Sequence, residues 1–498
     1  MAPSTFLGEA PGSRSEHVQW YQDVPNQANL LSPYSRYSAE IKSPFNVQTI
    51  VRRAVLMATT GSPGPVYLTA TREILATPVD RAPAPRRGGF PSCRIGGLPS
   101  DAVAQISEAL LTAQAPLVVT GYVGRNHDAV RTLVALADLV KGMKVFDSEL
   151  REVSFPADHP AWISRSTGAA RAVKTADVIL VLDADVPWIP TKVCPASTAR
   201  IFHIDLDPRK ERMNIFDIGA LATFHADCAT ALHQIYDYLT AERIGAETRA
   251  AWEQRWVALQ HAHADGKRAI DARATNLHAT PGAPCSVDFL CHYIRRRVPT
   301  DTVFVTDSVT NQVPMSEQLQ FCRPGSHLTK GGSGLGWAGG AAIGVKLATA
   351  RYNTADRPYL GAPNPPKQPL AADGPFVCCI MGDGSFVFSV PTAVYWASAC
   401  HSCPFLTILL NNGGWRATRA CIMDVHPTGL ASAASHEDLG ISLEHEAPDY
   451  GGVAKAAANN QLWTTKVTKA ADLENALETA IHVVAIEKKS ALLDVLVS

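Results

Sequence analysis

Short continuous apolar runs alternate with amphipathic stretches along most of the chain. Clear runs occupy residues 116–120, 178–182, 201–205, 302–307, 376–380, 405–410 and 491–497. Unbroken runs of this length are typical of strands that are buried on both faces of a parallel sheet. Stretches with helical periodicity lie between them, at residues 102–111, 130–139, 391–400 and 472–484. The alternation predicts an α/β protein built from doubly wound parallel sheets.

Two breaks in this alternation predict a division into three domains. Residues 81–100 (RAPAPRRGGFPSCRIGGLPS) are rich in Pro, Gly and Arg without periodicity, which is typical of an interdomain linker. A polar helix and a second linker fall within residues 241–286. We therefore predict a first domain at 1–80, a central domain at 101–240 and a final domain at 287–498.

The composition excludes several classes of protein. Of the 498 residues, 46% are hydrophobic and 18% charged, and the net charge is −1, so the balance favours no nucleic-acid partner. No apolar run approaches the ~20 residues that cross a bilayer. The first residues lack the basic and apolar regions of a secretory signal, and the final Leu-Val-Ser is not a peroxisomal signal. These features predict a cytoplasmic protein without a membrane partner.

The cysteine pattern agrees with a reducing compartment. Eleven cysteines, an odd number, are scattered through apolar segments, which favours reduced thiols over a disulfide framework. Cys400 and Cys403 form a CxxC pair, but no second pair accompanies them. We therefore predict a structural role for this pair.

Two polar clusters follow neighbouring strands of the final domain. GDGS at residues 382–385 follows the run at 376–380, and NNGG at 411–414 follows the run at 405–410. With residues 391–400 as the crossover helix, both clusters lie at the carboxyl ends of strands of one sheet, where open α/β sheets bind ligands. Each cluster alone is also a good turn sequence. Their combination, with a strand before each, favours a binding site.

The chemistry of the two clusters is complementary. Asp383 supplies a carboxylate, Asn412 an amide oxygen and Gly414 a main-chain carbonyl, and Mg²⁺ prefers such oxygen ligands. Glycine lets the backbone approach a phosphate closely, and a serine hydroxyl can donate a hydrogen bond to one. The corresponding candidates are Gly382, Gly384 and Ser385.

GDG, a spacer of residues 385–410 and the following NN resemble the motif of thiamine-diphosphate-dependent enzymes. The surrounding residues are similar to the acetolactate synthase and 2-hydroxyacyl-lyase branch of that family. In that branch the aspartate, the second asparagine and a carbonyl two residues later hold Mg²⁺ against the diphosphate. The resemblance therefore implies Asp383, Asn412 and Gly414 as metal ligands, and three doubly wound domains of this enzyme type.

A run of small residues at 331–345 (GGSGLGWAGGAAIGV) leads into a predicted helix of the final domain. Small residues permit close packing against a flat ligand. The resemblance places Leu335 where the family has a bulky apolar side chain between the two rings of the cofactor. The alternative is that Leu335 is an ordinary core residue at the start of the helix.

The first domain resembles only the closing part of the family's pyrimidine-binding domain. A helix at residues 46–59, a turn at 61–64 and a strand at 65–68 occur in the family's order. The resemblance implies that this domain is incomplete and that its activating glutamate is absent. Glu9 and Glu16 do not match the pattern, so no catalytic residue is predicted.

The central domain gives no clear sign of a ligand. GYVGR at residues 121–125 follows a strand, but no GxGxxG is present. Some members of the family keep FAD or a nucleotide here and many keep nothing, so FAD is not supported and we predict a structural domain. His261 and His263, in the polar helix after this domain, are predicted to face solvent.

The resemblance implies a thiamine-diphosphate- and Mg²⁺-dependent decarboxylase or carboligase that acts on a 2-oxo acid, as acetolactate synthase does, in a homodimer or homotetramer. The alternative is a chain that binds the cofactor without turning it over, as a truncated homologue or a regulatory partner that lacks the activating glutamate. Trp415 and Arg416 follow the second cluster and are either walls of the substrate pocket or packing residues at a helix start.

Overall fold

The computed structural model describes residues 12–22, 27–79, 93–242, 244–275, 282–332, 334–352, 374–444 and 447–498. Its contacts define two compact units: residues 1–97 with 206–210 and 225–227, and residues 98–205, 211–224 and 228–498. Glu9 and most of the first predicted linker lie outside the described residues. Among the helices of the described ranges, none combines the length and apolar character needed to cross a bilayer.

The first unit contains a parallel βαβ arrangement. Strands β1 (Tyr37–Ile41) and β2 (Val66–Ala70) pair in parallel, and a helix lies between them in the sequence. The helices are α1 (Val18–Gln22), α2 (Val47–Thr59) and α3 (Arg72–Ala76). The helix predicted at 46–59 and the strand predicted at 65–68 are confirmed as α2 and β2.

The second unit contains two six-stranded sheets, of which the first spans the central part of the chain. Its strand order is β5-β4-β3-β6-β7-β8. The strands are β3 (Pro116–Thr120), β4 (Lys144–Asp147), β5 (Trp162–Ile163), β6 (Val178–Leu182), β7 (Arg200–Asp205) and β8 (Ala222–His225). The helices are α4 (Ser100–Thr112), α5 (His127–Leu139), α6 (Ala170–Thr175), α7 (Cys228–Ala241) and α8 (Ala246–Thr275). From β5 to β7 the pairs are parallel, as predicted.

The second sheet of this unit has the order β10-β9-β11-β12-β14-β13, and its pairs are parallel. The strands are β9 (Val303–Asp307), β10 (His327–Thr329), β11 (Val377–Gly382), β12 (Leu406–Asn411), β13 (Trp463–Val467) and β14 (Ala491–Leu496). The helices are α9 (Val287–Arg297), α10 (Gln312–Leu319), α11 (Trp337–Tyr352), α12 (Asp383–Phe388), α13 (Pro391–Cys400), α14 (Arg416–Val425), α15 (Leu430–Ala433), α16 (Tyr450–Ala457) and α17 (Leu473–Ala485).

Successive residues of these strands face opposite sides of the sheet. Ile380 and Ile408 belong to a buried cluster with residues of α9 and α17. Met381 and Leu409, one residue further along each strand, belong to a second buried cluster with residues of α11, α13 and α16. Helices thus cover both faces, which explains the unbroken apolar runs and confirms the doubly wound α/β prediction.

Helix α8 departs from one prediction. Its Trp252, Leu259 and Ile270 are buried, so one face of this polar helix packs against the protein. His261 is exposed, as predicted. His263 is half-buried, and its Nε2 lies 3.1 Å from the carbonyl oxygen of Ala157. The solvent-facing prediction was therefore wrong for His263, because the few apolar residues of α8 are enough to fix its buried face.

The cysteines carry free thiols, as expected from their pattern. Burial raises the pKa of Cys378 and Cys379, which lie within β11. In the CxxC pair, Cys400 is exposed and the Cys403 Sγ lies 3.3 Å from the carbonyl oxygen of His401. That local contact agrees with a structural role for the pair.

Candidate functional site

The two polar clusters meet at one edge of the second sheet. Strands β11 and β12 are adjacent and parallel, with Gly382 in register with Leu410, so both chains leave the sheet at the same edge. The Gly414 N–H donates a hydrogen bond to Asp383 Oδ2 at 3.0 Å. This bond joins the turn after β11 to the turn after β12, although helix α13 and strand β12 lie between them in the sequence.

Asp383 is the buried acid of this edge. It is 2% exposed and begins helix α12 directly after β11. Its Oδ1 accepts a hydrogen bond from the Gly384 N–H at 2.8 Å. Burial raises the pKa of Asp383, while backbone N–H donors, Gly384 and Gly414 first among them, act in the opposite direction. A buried carboxylate that is charged needs a cation or several donors to compensate its lost hydration.

The chemistry of the surrounding donors fits a cation at Asp383. In the described part of the chain, Asp383 has no ion pair with a basic side chain. No cluster of three or more His, Cys, Asp or Glu residues that could hold a metal occurs there, at Asp383 or elsewhere, so a cation here would depend on one carboxylate and on neutral oxygens. The Asn412 Oδ1 lies 3.4 Å from the same Gly414 N–H, so it stands beside the carboxylate. Carboxylate, amide and carbonyl oxygens are the ligands that Mg²⁺ prefers.

Gly414 occupies a conformation that requires glycine. Its φ is +152°, and a Cβ at this position would lie 2.3 Å from the carbonyl oxygen of Ile441. The Gly414 carbonyl oxygen accepts a hydrogen bond from the Arg416 N–H at 2.9 Å, and the Asn412 carbonyl accepts one from Arg416 Nε at 2.9 Å. Because a carbonyl oxygen has two lone pairs, the Gly414 oxygen retains one acceptor site. Arg416 therefore stabilises the turn.

Asn411 is a residue of this turn to which the sequence analysis gave no role. Its Nδ2 donates to Asp494 Oδ1 at 2.9 Å, and its Oδ1 accepts from the Gly413 N–H at 3.3 Å. Asp494 is 5% exposed, and burial raises its pKa. The side chain of Asn411 thus fixes the turn to β14. The signal in the sequence was the doubled asparagine, of which only the second was assigned.

Ser385 has a partner that the sequence did not predict. Its Oγ donates to Asp307 Oδ1 at 2.9 Å, and both residues are buried. We predicted that this hydroxyl would donate to a phosphate. The hydroxyl has an acceptor at the end of β9, and its contact with a phosphate stays a prediction.

Asp307 connects three elements beside the site and was also missed. Its Oδ2 accepts hydrogen bonds from the backbone N–H groups of Gly336 (2.9 Å) and Trp337 (3.0 Å), at the start of α11. Its Oδ1 lies 2.7 Å from Lys330 Nζ in an ion pair whose side chains are 0% and 6% exposed. A strand-end aspartate therefore caps α11 from outside the helix. The signal was the strand ending VFVTD.

Leu335 lies in the loop just before this helix start and is half-buried. The next residue, Gly336, has a φ of +86°, and a Cβ there would lie 2.4 Å from the carbonyl carbon of Phe388. The loop is therefore packed against the end of α12, the helix that Asp383 begins. This places Leu335 next to the elements of the site, while its contact with a cofactor stays a prediction.

The two glycines of GDG have different surroundings. A Cβ at Gly382 would have no atom within 4 Å, whereas a Cβ at Gly384 would lie 2.2 Å from the Trp415 ring. Trp415 also packs edge-on against Phe388, with 5.4 Å between ring centroids. Gly382 thus leaves space for a ligand. At Gly384 the indole of Trp415 fills the space of a side chain, so Trp415 packs against this glycine, while the approach of a phosphate to the Gly384 backbone stays a prediction.

Replacing Gly384 by alanine is expected to destabilise the protein by roughly 1–3 kcal/mol, because the new methyl group overlaps the indole of Trp415. The matched Gly382→Ala variant should unfold within about 0.5 kcal/mol of wild type. Urea unfolding checks both. Adding Trp415→Ala to Gly384→Ala should recover part of the loss; equal losses for the two single glycine variants would contradict the steric explanation.

Two parts of the sequence match two domains of one enzyme family. Residues 103–235 match "Thiamine pyrophosphate enzyme, central domain". Residues 307–495 match "Thiamine pyrophosphate enzyme, C-terminal TPP binding domain". The second range contains Asp307, both polar clusters and Asp494.

Curated relatives are distant in sequence. "Probable acetolactate synthase large subunit" of Methanocaldococcus jannaschii is 25% identical over 355 residues, which cover 67% of this chain and 56% of the relative. 2-Hydroxyacyl-CoA lyase 1 of Mus musculus is 20% identical over 422 residues, 83% of this chain and 66% of the relative. Benzoylformate decarboxylase of Pseudomonas aeruginosa is 24% identical over 445 residues, 84% and 72% respectively. The chain thus spans less than two thirds of the length of the first two.

Solved structures share the fold over nearly the whole chain. A thiamine diphosphate-dependent 4-hydroxybenzoylformate decarboxylase of Rhodococcus jostii matches with a TM-score of 0.67 and 20% identity, covering 97% of this chain and 81% of that one. Benzoylformate decarboxylase of Polynucleobacter necessarius matches with a TM-score of 0.67 and 16% identity, covering 95% and 78%. This chain belongs to the thiamine pyrophosphate enzyme family and contains its central domain and its C-terminal TPP-binding domain.

Proposed function

We propose that this protein binds thiamine diphosphate and Mg²⁺ and catalyses the decarboxylation of a 2-oxo acid, with protonation or carboligation of the product. The observation that carries the proposal is the 3.0 Å hydrogen bond from the Gly414 N–H to Asp383 Oδ2. This bond brings Asp383 and Gly414 together at one sheet edge, and the Asn412 Oδ1 lies beside them, which supports a shared cation. The names of relatives support the reaction class, since they include an acetolactate synthase and a benzoylformate decarboxylase.

In this proposal three residues would hold the metal: Asp383 through its carboxylate, Asn412 through Oδ1 and Gly414 through its carbonyl oxygen. Bound thiamine diphosphate supplies a nucleophilic carbon that adds to the substrate carbonyl and stabilises the charge left by loss of CO₂. Gly382, where a Cβ would meet open space, would allow a phosphate to approach the backbone. Leu335 is proposed to contact the cofactor rings.

The chain's own contribution is to fix these groups before the cofactor arrives. The Asn411–Asp494 and Arg416–Asn412 hydrogen bonds hold the turn after β12, and the Gly414–Asp383 bond fixes it against α12. Preorganised oxygen ligands lose little conformational entropy on binding. Burial of Asp383 also lowers the local dielectric constant, which strengthens its attraction for a cation.

Further features of the whole protein belong to the same proposal. We infer that it works as a homodimer or homotetramer in the cytoplasm, with a small-molecule 2-oxo acid as substrate. The free thiols support a reducing compartment. The chain covers 56% of the length of the first relative and 66% of the second. The activity and partners of those proteins are therefore assigned to this chain only as part of the proposal.

Calorimetry of thiamine diphosphate binding, with Mg²⁺ and with EDTA, tests the binding step, and CO₂ release from pyruvate and benzoylformate tests the reaction. We expect saturable binding that requires Mg²⁺, followed by CO₂ release from at least one of the two acids. Binding without turnover of any 2-oxo acid would favour the alternative of a non-catalytic cofactor-binding chain. Absence of Mg²⁺-dependent binding would contradict the proposed function.

A further inference from the structure

A cavity of about 510 Å³ lies within the second unit, away from the polar clusters. It opens at the amino ends of β3 and β4, where Leu117 and Lys144 line it, whereas the polar clusters lie at the carboxyl ends of β11 and β12. Helix α8 covers it with Leu259 and other residues. The lining also includes the aromatic side chain of Trp162. Nothing in the proposed reaction uses this space.

The charged side chains around the cavity are basic. The lining contains no aspartate or glutamate among its described residues, and its basic members are Lys144, Arg171, Arg255, His263 and Lys267. They lie on β4, α6 and α8, so basic side chains from three separate elements converge on the cavity. Such convergence raises the local electrostatic potential and attracts anions, although Asp177 acts on Arg255 and Asp158 on His263 from outside the lining.

Arg255 has a buried donor without an acceptor in the described part of the chain. Its Nη1 donates to the carbonyl oxygen of Ala113 at 2.5 Å, but its buried Nε–H has no hydrogen-bond partner among the described residues. Gly142 makes room for this side chain, since its φ is +90° and a Cβ there would lie 2.5 Å from Arg255 Cβ. An unsatisfied buried donor is unfavourable by about 1–3 kcal/mol.

Asp177, the acid that acts on Arg255 among the described residues, already has other partners. Asp177 attracts the guanidinium electrostatically, but its two carboxylate oxygens accept hydrogen bonds from the backbone N–H groups of Gln114 (2.7 Å) and Ala115 (2.9 Å). The positive charge of Arg255 is therefore only partly compensated. Burial lowers the pKa of Arg255, and Asp177 acts in the opposite direction.

Lys144 and His263 also lie in an environment that disfavours a positive charge. Burial lowers the pKa of Lys144, and the nearby Arg171 guanidinium lowers it further. Burial lowers the pKa of His263 as well, and Lys267 adds to that effect, while the hydrogen bond to Ala157 opposes it. Mutual repulsion of this kind is relieved when an anion binds between the groups.

We propose that this cavity binds an organic anion that carries two negative groups on a flat, apolar body, in the class of aryl phosphates and arene disulfonates. The separated cations on α6 and α8 would contact the two anionic groups, and Trp162 and Leu259 would pack on the body of the ligand. The apolar lining disfavours small hydrated ions such as chloride or free phosphate. The site would be independent of the thiamine-diphosphate site.

The test uses 1,5-naphthalenedisulfonate as the probe on the full chain in the presence of thiamine diphosphate and Mg²⁺. Calorimetry is expected to give one saturable site. Arg171→Glu and Lys267→Glu should each weaken binding by about tenfold, because each reverses a charge that lines the cavity. The matched variants Lys174→Glu, on α6, and Arg268→Glu, on α8, alter exposed residues outside the lining and should stay within about twofold of wild type.

Two further measurements locate the probe. Trp162→Phe should abolish most of the change in tryptophan fluorescence that probe binding causes. Its affinity for the probe should fall by less than the affinity of Arg171→Glu or Lys267→Glu. Asp383→Asn should bind the probe with unchanged affinity, even if it no longer binds the cofactor. No saturable binding up to about 10 mM probe, or equal weakening by lining and matched variants, would overturn the proposed site.

Discussion

Asp383→Asn is expected to weaken Mg²⁺-dependent binding of thiamine diphosphate by roughly 100-fold or more. The variant keeps the size and planarity of the side chain but removes its charge. In wild type the carboxylate is 2% exposed, has no ion pair with a basic side chain in the described part of the chain, and lies beside the Asn412 amide oxygen. Calorimetric titration of the cofactor at fixed Mg²⁺ measures the loss.

The matched control is Asp265→Asn, which removes an equal charge from an exposed surface pair with Arg268. Its cofactor affinity should equal that of wild type. Folding is checked separately by thermal unfolding without the cofactor, because Asp383 also accepts the Gly384 and Gly414 N–H bonds. If a folded Asp383→Asn variant binds the cofactor as tightly as wild type, the assignment of Asp383 to the metal is wrong.

The sequence was sufficient to predict the sheet edge. Strands buried on both faces need apolar side chains at every position, so the runs before residues 382 and 411 could be recognised without long-range information. The crossover helix fell at α13 (Pro391–Cys400), within the predicted bounds. Two parallel neighbours then bring their following turns together by geometry alone, and the Gly414–Asp383 hydrogen bond is the result.

The hydrogen-bond partners of individual polar groups could not be predicted from the sequence in the same way. Ser385 donates to Asp307, which is 78 positions away, and the sheet order that brings them together is not encoded near either residue. The reason for Gly384 was also hidden. A glycine that contacts a phosphate and a glycine that packs against an aromatic ring look the same in sequence, so the Trp415 contact became visible only in the structure. Long-range contacts of this kind depend on the assembled sheet.

The buried face of α8 could not be predicted from the sequence for a related reason. The helix is rich in polar residues, and three widely spaced apolar side chains, Trp252, Leu259 and Ile270, decide which side packs. With so weak a pattern, neither the burial of His263 nor the basic cavity beneath the helix could be predicted. Amphipathic patterns predict burial reliably only when the apolar stripe is continuous.

Lys330→Met is expected to destabilise the protein by about 3–5 kcal/mol, because it leaves the Asp307 carboxylate buried without its cation. The main-chain carbonyl of residue 330 can still accept its hydrogen bond from Arg151, so the backbone contact is kept. Urea unfolding followed by tryptophan fluorescence measures the change. Lys192→Met, which breaks the exposed pair with Asp424, is the matched control and should change the stability by less than about 1 kcal/mol.

The double variant Lys330→Met/Asp307→Asn separates the loss of the lysine from the penalty of the unpaired acid. It removes both charges, while the amide oxygen introduced at position 307 can still accept hydrogen bonds from the start of α11. We expect it to recover most of the stability and to lie within about 1–2 kcal/mol of wild type. If the double variant is as unstable as Lys330→Met alone, the stability depends on the packing of the lysine side chain, and the electrostatic account of Asp307 fails. Recovery would instead show that this strand-end aspartate tolerates burial only because Lys330 compensates its charge.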